Sequence, residues 1–162
     1  MTTDKFVFFW GGTFSQWCPS TFEIEGVQYN CCEQYMMAQK ALLFNDLESH
    51  KMIMYATSPR DQKAFGRRVK GFDKEKWEDV CRGIVYDANY AKFTQNPKMM
   101  IELLETGDRE IVEASPEDKI WGIGLHESDE RVHDKSKWQG TNWLGEAIMQ
   151  VREKLKTIKI EL

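Results

Sequence analysis

The alternation of hydrophobic and polar residues along the chain predicts many helices and few strands. Five consecutive apolar residues at positions 6–10 predict a buried strand that ends at Gly11 and Gly12. Residues 22–29 alternate around Gly26, a pattern typical of two strands joined by a tight turn, and residues 109–114 predict another short strand. Strands so few and so irregularly spaced do not fit a doubly wound sheet. The pattern therefore predicts an α+β fold that is mainly helical.

Helical spacing accounts for most of the remaining chain. Ser58 and Pro59 predict the start of a helix that continues to about Gly71. Asp73 is the expected N-cap of the longest helix. Helices are also expected at 32–44, 48–55, 97–106 and 143–155, a surface loop at 126–137, and a terminal strand or frayed end at 157–162. No linker interrupts this series, so we expect a single domain over residues 1–162. The apolar stripe of the longest helix is expected to consist of Trp77, Val80, Ile84, Ala88 and Ala91.

Glu33 and Lys40 are ionisable residues within the predicted helix at 32–44, which is apolar on nearly every side. They are seven residues apart, about two helical turns, so they lie on one stripe. Burying such groups costs free energy unless they are paired or used in chemistry. A carboxylate and an amine on one face of a buried helix could form an acid–base site. A structural ion pair, or side chains that reach the helix ends, would explain the same spacing.

Composition narrows the class of protein. Apolar residues make up 41% and charged residues 30% of the 162 residues, as in a soluble globular protein, and the net charge of −4 argues against a broad basic surface for nucleic acid. The four cysteines form no CxxC pair, so we expect no zinc site, reduced thiols and a cytoplasmic location. A thiol nucleophile at Cys31 or Cys32 is conceivable, although most intracellular cysteines are inert. The N-terminal apolar run is too short for a signal peptide or a membrane span.

A basic cluster in this acidic chain contains Lys63, Arg67 and Arg68, all on the helix expected to begin at Pro59. Guanidinium groups suit phosphate because they offer two parallel donors. A solvated helix face would explain the same residues. The cluster is therefore a candidate phosphate site. The oligomeric state cannot be read from the sequence.

Two glycine-containing segments are candidate ligand loops. In residues 115–124, Asp118 could act as a base or hold hydroxyl groups, Trp121 could stack on a base, and Gly122 and Gly124 could let the backbone approach a ligand. A plain turn beside a core tryptophan would look the same. In residues 140–145, Asn142 is either a helix N-cap or part of an anion site at a helix start.

Taken together, these segments resemble the NADAR family, also called the YbiA-like family, over residues 8–152. Each element is weak alone, and the ordered set is specific. The matching elements are Phe9 and Trp10 with Phe14 and Ser15; Glu33, Gln34 and Tyr35 with Lys40 and Ala41; Lys63 with Gly66 and Arg67; Trp77 with Lys92 and Phe93; Leu103 and Leu104 with Thr106 and Gly107; residues 113–116 with Asp118; residues 121–124; and Gly140 with Asn142, Leu144 and Gly145.

The resemblance implies an N-glycosidase on a compact, helix-rich α+β domain, in a family linked to NAD and ADP-ribose metabolism. It implies two substrate classes: ADP-ribosylated guanine, and the ribosylaminopyrimidine phosphates of riboflavin synthesis. The expected partner is thus a nucleotide or ribosylamine phosphate, or ADP-ribosylated nucleic acid, with no cofactor, no metal and no membrane. On this basis the candidate catalytic residues are Glu33, Lys40 and Asp118, and the candidate substrate-binding residues are Trp10, Lys63, Arg67, Trp121, Gly122 and Asn142.

Breaking an N-glycosidic bond builds positive charge on the anomeric carbon and leaves a nitrogen that needs a proton. Glu33 is the candidate group that stabilises this charge or activates water. Lys40 has two open roles: it keeps Glu33 ionised or contacts phosphate, or it attacks the ring-opened sugar to form a Schiff base. The alternative function is a module that binds ADP-ribose or a nucleotide without cleaving it.

Overall fold

The computed structural model describes the backbone of residues 1–161 and the side chains of residues 1–158. Two compact units contain these residues, the first Met1–Ser15 with the residues from Pro97 onward, the second Gln16–Asn96. The mainly helical α+β fold class is confirmed, and the single domain stays a prediction. The elements are β1 (Phe6–Phe9), β2 (Phe22–Ile24), β3 (Val27–Tyr29), α1 (Cys32–Leu43), α2 (Leu47–Tyr55), α3 (Pro59–Gly66), α4 (Lys74–Gln95), α5 (Pro97–Glu105), β4 (Glu110–Glu113) and α6 (Trp143–Glu161).

In the first unit, β1 and β4 form a two-stranded parallel sheet with Phe6 opposite Glu110 and Phe9 opposite Glu113. All four residues of β1 are buried, which explains the uninterrupted apolar run, because a strand covered on both faces has no polar side. The predicted strand at the N-terminus is confirmed. The core around the sheet is formed by Phe6, Phe8, Val112, Ala114, Ile123, Leu125 and Val132, with Trp138 packed against it.

The last helix is longer than the sequence predicts. Helix α6 continues past Leu155 to Glu161, so the expectation of a terminal strand is wrong for residues 157–161, and a frayed end stays a prediction. Residue 162 lies outside the described residues. Tertiary contacts hold its later turns in place. The Arg152 guanidinium is buried and donates to Thr106 Oγ1 (2.9 Å), and Lys156 Nζ donates to Asp108 Oδ1 (2.7 Å).

The polar segment 126–137 is more ordered than the surface loop expected from its sequence. It contains two short 3₁₀ turns, Glu130–His133 and Lys135–Lys137. The carboxylates of Asp129 and Asp134 each cap one turn by accepting from a backbone N–H, and Val132 is fully buried. Aspartate capping and one apolar anchor therefore give the segment a fixed structure.

In the second unit, β2 and β3 form the predicted hairpin, with Phe22 opposite Tyr29. Glu25 and Gly26 occupy the turn with φ of 52° and 82°. Positive φ at both central residues is the requirement of a type I′ turn, and glycine meets it without strain. The Phe22 and Tyr29 rings stack across the strands at 5.9 Å, so the hairpin prediction is confirmed.

Helix α1 is the core of the second unit, in contact with α2, α3 and α4, and residues 32–38 are all buried. Helix α3 ends at Gly66 rather than near Gly71, so the placement of Arg67 and Arg68 on that helix is wrong. Arg67 is the C-cap residue, and Val69 turns back into the interior. Tertiary packing sets this end, a factor that the local pattern does not contain.

Helix α4 begins as predicted, since the Asp73 carboxylate accepts from Lys76 N at 3.3 Å. Its buried stripe differs from the expected one: Val80 is 37% exposed, whereas Cys81 and Val85 are buried. Ala88 and Ala91 of the expected stripe are buried and Trp77 and Ile84 are partly buried, so the predicted face is confirmed near the end of the helix and is wrong at Val80. No helix within residues 1–161 combines the length and apolar character that crossing a bilayer requires.

Candidate active site

Glu33 is held in the first turn of α1 and is only 7% exposed. Its backbone N–H donates to the carbonyl of Gln16 at 3.1 Å, which fixes the start of the helix. The N-terminus of a helix carries partial positive charge and favours an anion there. The fold therefore places this carboxyl group where the helix supports its charged form despite burial.

Lys40 follows two turns later on the same helix and is half-buried. Burial lowers the pKa of its ammonium, and this effect outweighs the opposing attraction of Glu33, while the nearby charge of Arg67 lowers the pKa further. The ammonium lies 4.7 Å from the centre of the Phe72 ring and 5.9 Å from that of Trp77. A lysine with a lowered pKa has a larger neutral fraction and is a better nucleophile or base.

Lys92 is a candidate site residue that the spacing of charges along the sequence does not reveal. It lies in α4 with no exposed surface. Its charge lowers the pKa of the Cys32 thiol, on which the charge of Glu33 acts in the opposite direction, so Lys92 and Glu33 act on one region. A detectable signal exists in the sequence, because Lys92 continues the helical stripe of Cys81, Val85 and Ala88 at a position where an apolar residue is expected.

The two adjacent cysteines do not suit a nucleophilic role. Burial raises the pKa of Cys31 to about 11 and that of Cys32 to about 12. Both thiols are therefore protonated near neutral pH and unreactive. The Cys32 Sγ instead contacts Asn89 Oδ1 at 3.8 Å, and Asn89 Nδ2 donates to Gln16 Oε1 at 2.9 Å. These contacts tie α4 to α1 and to the segment that supports Glu33.

The predicted phosphate-binding residues lie at and beyond the C-terminal half of α3. Arg67 is exposed at its C-cap, and its charge acts on Lys40, which places the two cations close together. The Lys63 ammonium lies 5.8 Å from the centre of the Trp17 ring. Helix α3 packs closely on α1 at Gly66, where an added Cβ would lie 2.0 Å from Met37 Sδ unless that side chain moved.

In the first unit, Asp118 organises its own loop. Its Oδ1 accepts from Ile120 N at 2.9 Å and from Trp121 N at 2.8 Å, the arrangement of an aspartate-capped turn. Trp121 is partly exposed and packs edge-to-face on Trp143 at 5.8 Å. These contacts fix the position of the Trp121 ring, and direct ligand contacts of Asp118 and Trp121 stay predictions.

Packing accounts for the conformations of Gly122 and Asn142. A Cβ at Gly122 would lie 2.8 Å from the carbonyl oxygen of Glu113. Asn142 is buried with φ of 53°, and its amide accepts from Glu113 N and donates to the carbonyl of Ile111, both at 3.0 Å. The side chain of Asn142 thus pairs with β4 as a neighbouring strand would, rather than capping α6. Binding of substrate by Gly122 or Asn142 stays a prediction.

Trp10 lies immediately after β1 and is 48% exposed. Its ring packs edge-to-face on His126 at 5.8 Å. An exposed indole held at one edge has a face available to a flat ligand. This geometry is compatible with the predicted binding role.

The chain is similar along most of its length to known proteins of one family. The family model described as the NADAR domain matches residues 8–156. N-glycosidase R617 of Acanthamoeba polyphaga mimivirus is 45% identical, with 94% of this chain and 98% of that protein covered. Protein irg-1 of Caenorhabditis elegans is 38% identical, with 96% and 82% covered. The NMR structure of Escherichia coli YbiA has a TM-score of 0.82 and 27% identity, and covers 100% of this chain and 91% of its own.

Further relatives carry two kinds of name. N-glycosidase is also the name of a relative from Nostoc punctiforme and of YbiA, whereas a relative from Vibrio vulnificus is named a riboflavin biosynthesis protein.

Proposed function

Because this chain belongs to the NADAR domain family and is a hydrolase of N-glycosyl compounds, we propose that it cleaves the bond between a phosphorylated ribose and the nitrogen of an aromatic base or amine. The two substrate classes that fit are ADP-ribosylated guanine and ribosylaminopyrimidine phosphates. The observation that carries the proposal is the second unit's buried carboxyl group at Glu33, on one helix with an amine of lowered pKa at Lys40.

Glu33 supplies the negative charge in this mechanism. As the bond between carbon and nitrogen stretches, positive charge develops on the anomeric carbon, and a carboxylate fixed at a helix start stabilises it. The same carboxylate takes a proton from the attacking water, whose oxygen bonds to that carbon. The departing nitrogen receives a proton, so water is consumed and no other reactant is needed.

Lys40 supplies the amine of the covalent version. Its neutral form attacks the ring-opened sugar at the anomeric carbon, the base departs with a proton, and a Schiff base remains. Water then releases the sugar aldehyde and regenerates the amine. The lowered pKa and partial exposure of Lys40 support this role. Lys92, which has no exposed surface, acts instead as a buried positive charge that balances Glu33.

The other candidate residues complete the proposal. Arg67 and Lys63 bind phosphate in the second unit. In the first unit, Asp118 binds ribose hydroxyls or transfers a proton, Trp121 stacks on a base or shapes the pocket, and Trp10, Gly122 and Asn142 contact the substrate. The firm folding of the Asp118 loop supports positioning of this kind.

Mass spectrometry of the reaction products tests the proposal. The protein is incubated separately with a DNA oligonucleotide that carries ADP-ribosyl guanine and with a ribosylaminopyrimidine phosphate. Release of ADP-ribose or of ribose 5-phosphate identifies the substrate class. Release of neither, together with tight binding of ADP-ribose in calorimetry, would favour the module that binds without cleaving.

Borohydride trapping tests the covalent version separately. Reduction during turnover should attach the sugar to the protein, and peptide mapping should place it on Lys40. An adduct on Lys92 would transfer the amine role to that residue. No adduct during active turnover would leave direct attack by water as the mechanism.

A further inference from the structure

An exposed phenylalanine stands beside the candidate amine. Phe72 is 47% exposed, although the residues on either side of it, 70–71 and 73–76, are all polar or glycine. Its ring is fixed from one side by Phe44, packed edge-to-face at 5.4 Å. Exposed single aromatics are common and need no explanation by themselves. The position of this one, with the Lys40 ammonium 4.7 Å from its ring centre, gives it a specific neighbour.

Cations and aromatic rings alternate at this surface. Lys40 lies between Phe72 and Trp77, and the Lys76 ammonium lies 5.8 Å from the Phe44 ring. We call Phe44, Phe72 and Trp77 the aromatic cluster. Phe72 is held in place and 47% exposed, which suits stacking on a flat heteroaromatic ring, and the nearby Lys76 ammonium suits a phosphate joined to that ring. A sugar phosphate alone would use the cations and leave the rings without a partner.

We propose that Phe72 is a specificity-determining residue that stacks on the base of the substrate, next to the sugar carbon that Lys40 attacks. This inference rests on the proposed function for the identity of the ring as the leaving base. Because the Lys40 ammonium lies over the Phe72 ring and the ring is still 47% exposed, a base that stacks on its uncovered part is adjacent to that amine. The subsite selects nucleotide-like substrates over simple sugar phosphates.

Calorimetry with two matched probes tests the subsite. Guanosine 5′-monophosphate and ribose 5-phosphate share the sugar and the phosphate, and only the first has a base. Wild-type protein should bind the nucleotide more tightly. Phe72→Ala should weaken nucleotide binding about 5- to 150-fold, the range for loss of one stacked base, and change ribose 5-phosphate binding less than about twofold. Phe72→Trp should restore nucleotide binding.

A control variant separates stacking from a general loss of aromatic surface. Tyr55 in α2 is 85% exposed, and Tyr55→Ala should leave both affinities unchanged. Equal affinity of wild-type protein for the two probes would overturn the subsite, and so would equal weakening of both probes in Phe72→Ala.

Turnover separates this inference from the proposed function. With an active substrate, Phe72→Ala should raise KM and leave kcat within about threefold of wild type. If no substrate is cleaved but Phe72 still controls nucleotide affinity, the proposed reaction is wrong and the subsite stands. If cleavage occurs with an unchanged KM in Phe72→Ala, the reaction stands and the subsite is wrong.

Discussion

Replacing Asn142 with alanine tests whether this residue is a structural clamp of β4. The substitution removes one acceptor from Glu113 N and one donor to the carbonyl of Ile111, each at 3.0 Å, in a strand whose residues Ile111 and Val112 have no exposed surface. Each buried group left unsatisfied costs about 1–3 kcal/mol. Alanine in the left-handed conformation, at φ of 53°, adds about 1 kcal/mol.

The expected loss of unfolding free energy for Asn142→Ala is therefore about 3–7 kcal/mol. Asn142→Gly loses the same hydrogen bonds without the conformational strain, so it should be about 1 kcal/mol more stable than the alanine variant. Asn45 is a matched control, because it also has positive φ, 55°, but is exposed. Its replacement with alanine should cost about 1 kcal/mol only.

Urea denaturation followed by circular dichroism measures these differences. A loss in Asn142→Ala no larger than that in Asn45→Ala would refute the clamp. An Asn142→Ala protein too unstable to purify leaves the comparison to Asn142→Gly, which must still lose at least about 2 kcal/mol if both hydrogen bonds matter.

Three further predictions follow from burial and close contacts. Lys40→Met should abolish turnover without lowering the melting temperature at pH 7. Burial lowers the folded-state pKa of Lys40, so its charge costs stability at pH values below that pKa. As the pH rises toward 10.5, wild-type protein should therefore gain stability and Lys40→Met should not. A fall of several degrees in Lys40→Met would show a structural role. Gly145→Ala should lower the unfolding free energy measured in urea by about 3 kcal/mol or more, because its Cβ would lie 2.1 Å from the backbone oxygen of Ile111. Gly66→Ala meets only a flexible methionine and should lower it less. Equal losses in the two variants would contradict this reasoning. Ellman's reagent at pH 8 should react first with Cys18, which is partly exposed. The other three thiols are buried and have raised pKa values. Rapid reaction of two or more thiols in the native protein would contradict this burial.

Local signals explain what the sequence predicted correctly. The hairpin turn at Glu25 and Gly26 and the caps at Ser58 and Asp73 depend on residues within a few positions of each other. The buried strand β1 is a continuous apolar segment and the central helix α1 is mainly apolar, so both are recognisable without knowledge of their partners. Such features need no tertiary information.

Tertiary packing explains the helix ends that the sequence did not predict. Helix α3 ends at Gly66, which packs on Met37, and α6 continues because Arg152 and Lys156 bond to the turn before β4. These contacts join residues between 29 and 49 positions apart, beyond the reach of a local pattern.

The features of the candidate site also divide into those that local sequence predicts and those that depend on tertiary packing. The spacing of Glu33 and Lys40 on one helix was readable, and their burial agrees with it. Lys92 was not singled out, because the predicted stripe of α4 contained Ala88 and Ala91 but not Cys81 and Val85, whose face Lys92 shares. The hydrogen bonds of Asn142 to β4 and the packing of Gly122 depend on segments brought together only by folding.

Turnover by Glu33→Gln tests the central claim, that the buried carboxylate of α1 drives cleavage of the N-glycosidic bond. The matched control is Glu48→Gln, which alters an exposed carboxylate in the first turn of α2. Product release from ADP-ribosylated guanine, or from the ribosylaminopyrimidine phosphate if that is the active class, should fall at least about 100-fold in Glu33→Gln and stay unchanged in Glu48→Gln, with native circular dichroism spectra for both. Near wild-type turnover in a folded Glu33→Gln protein would contradict the account.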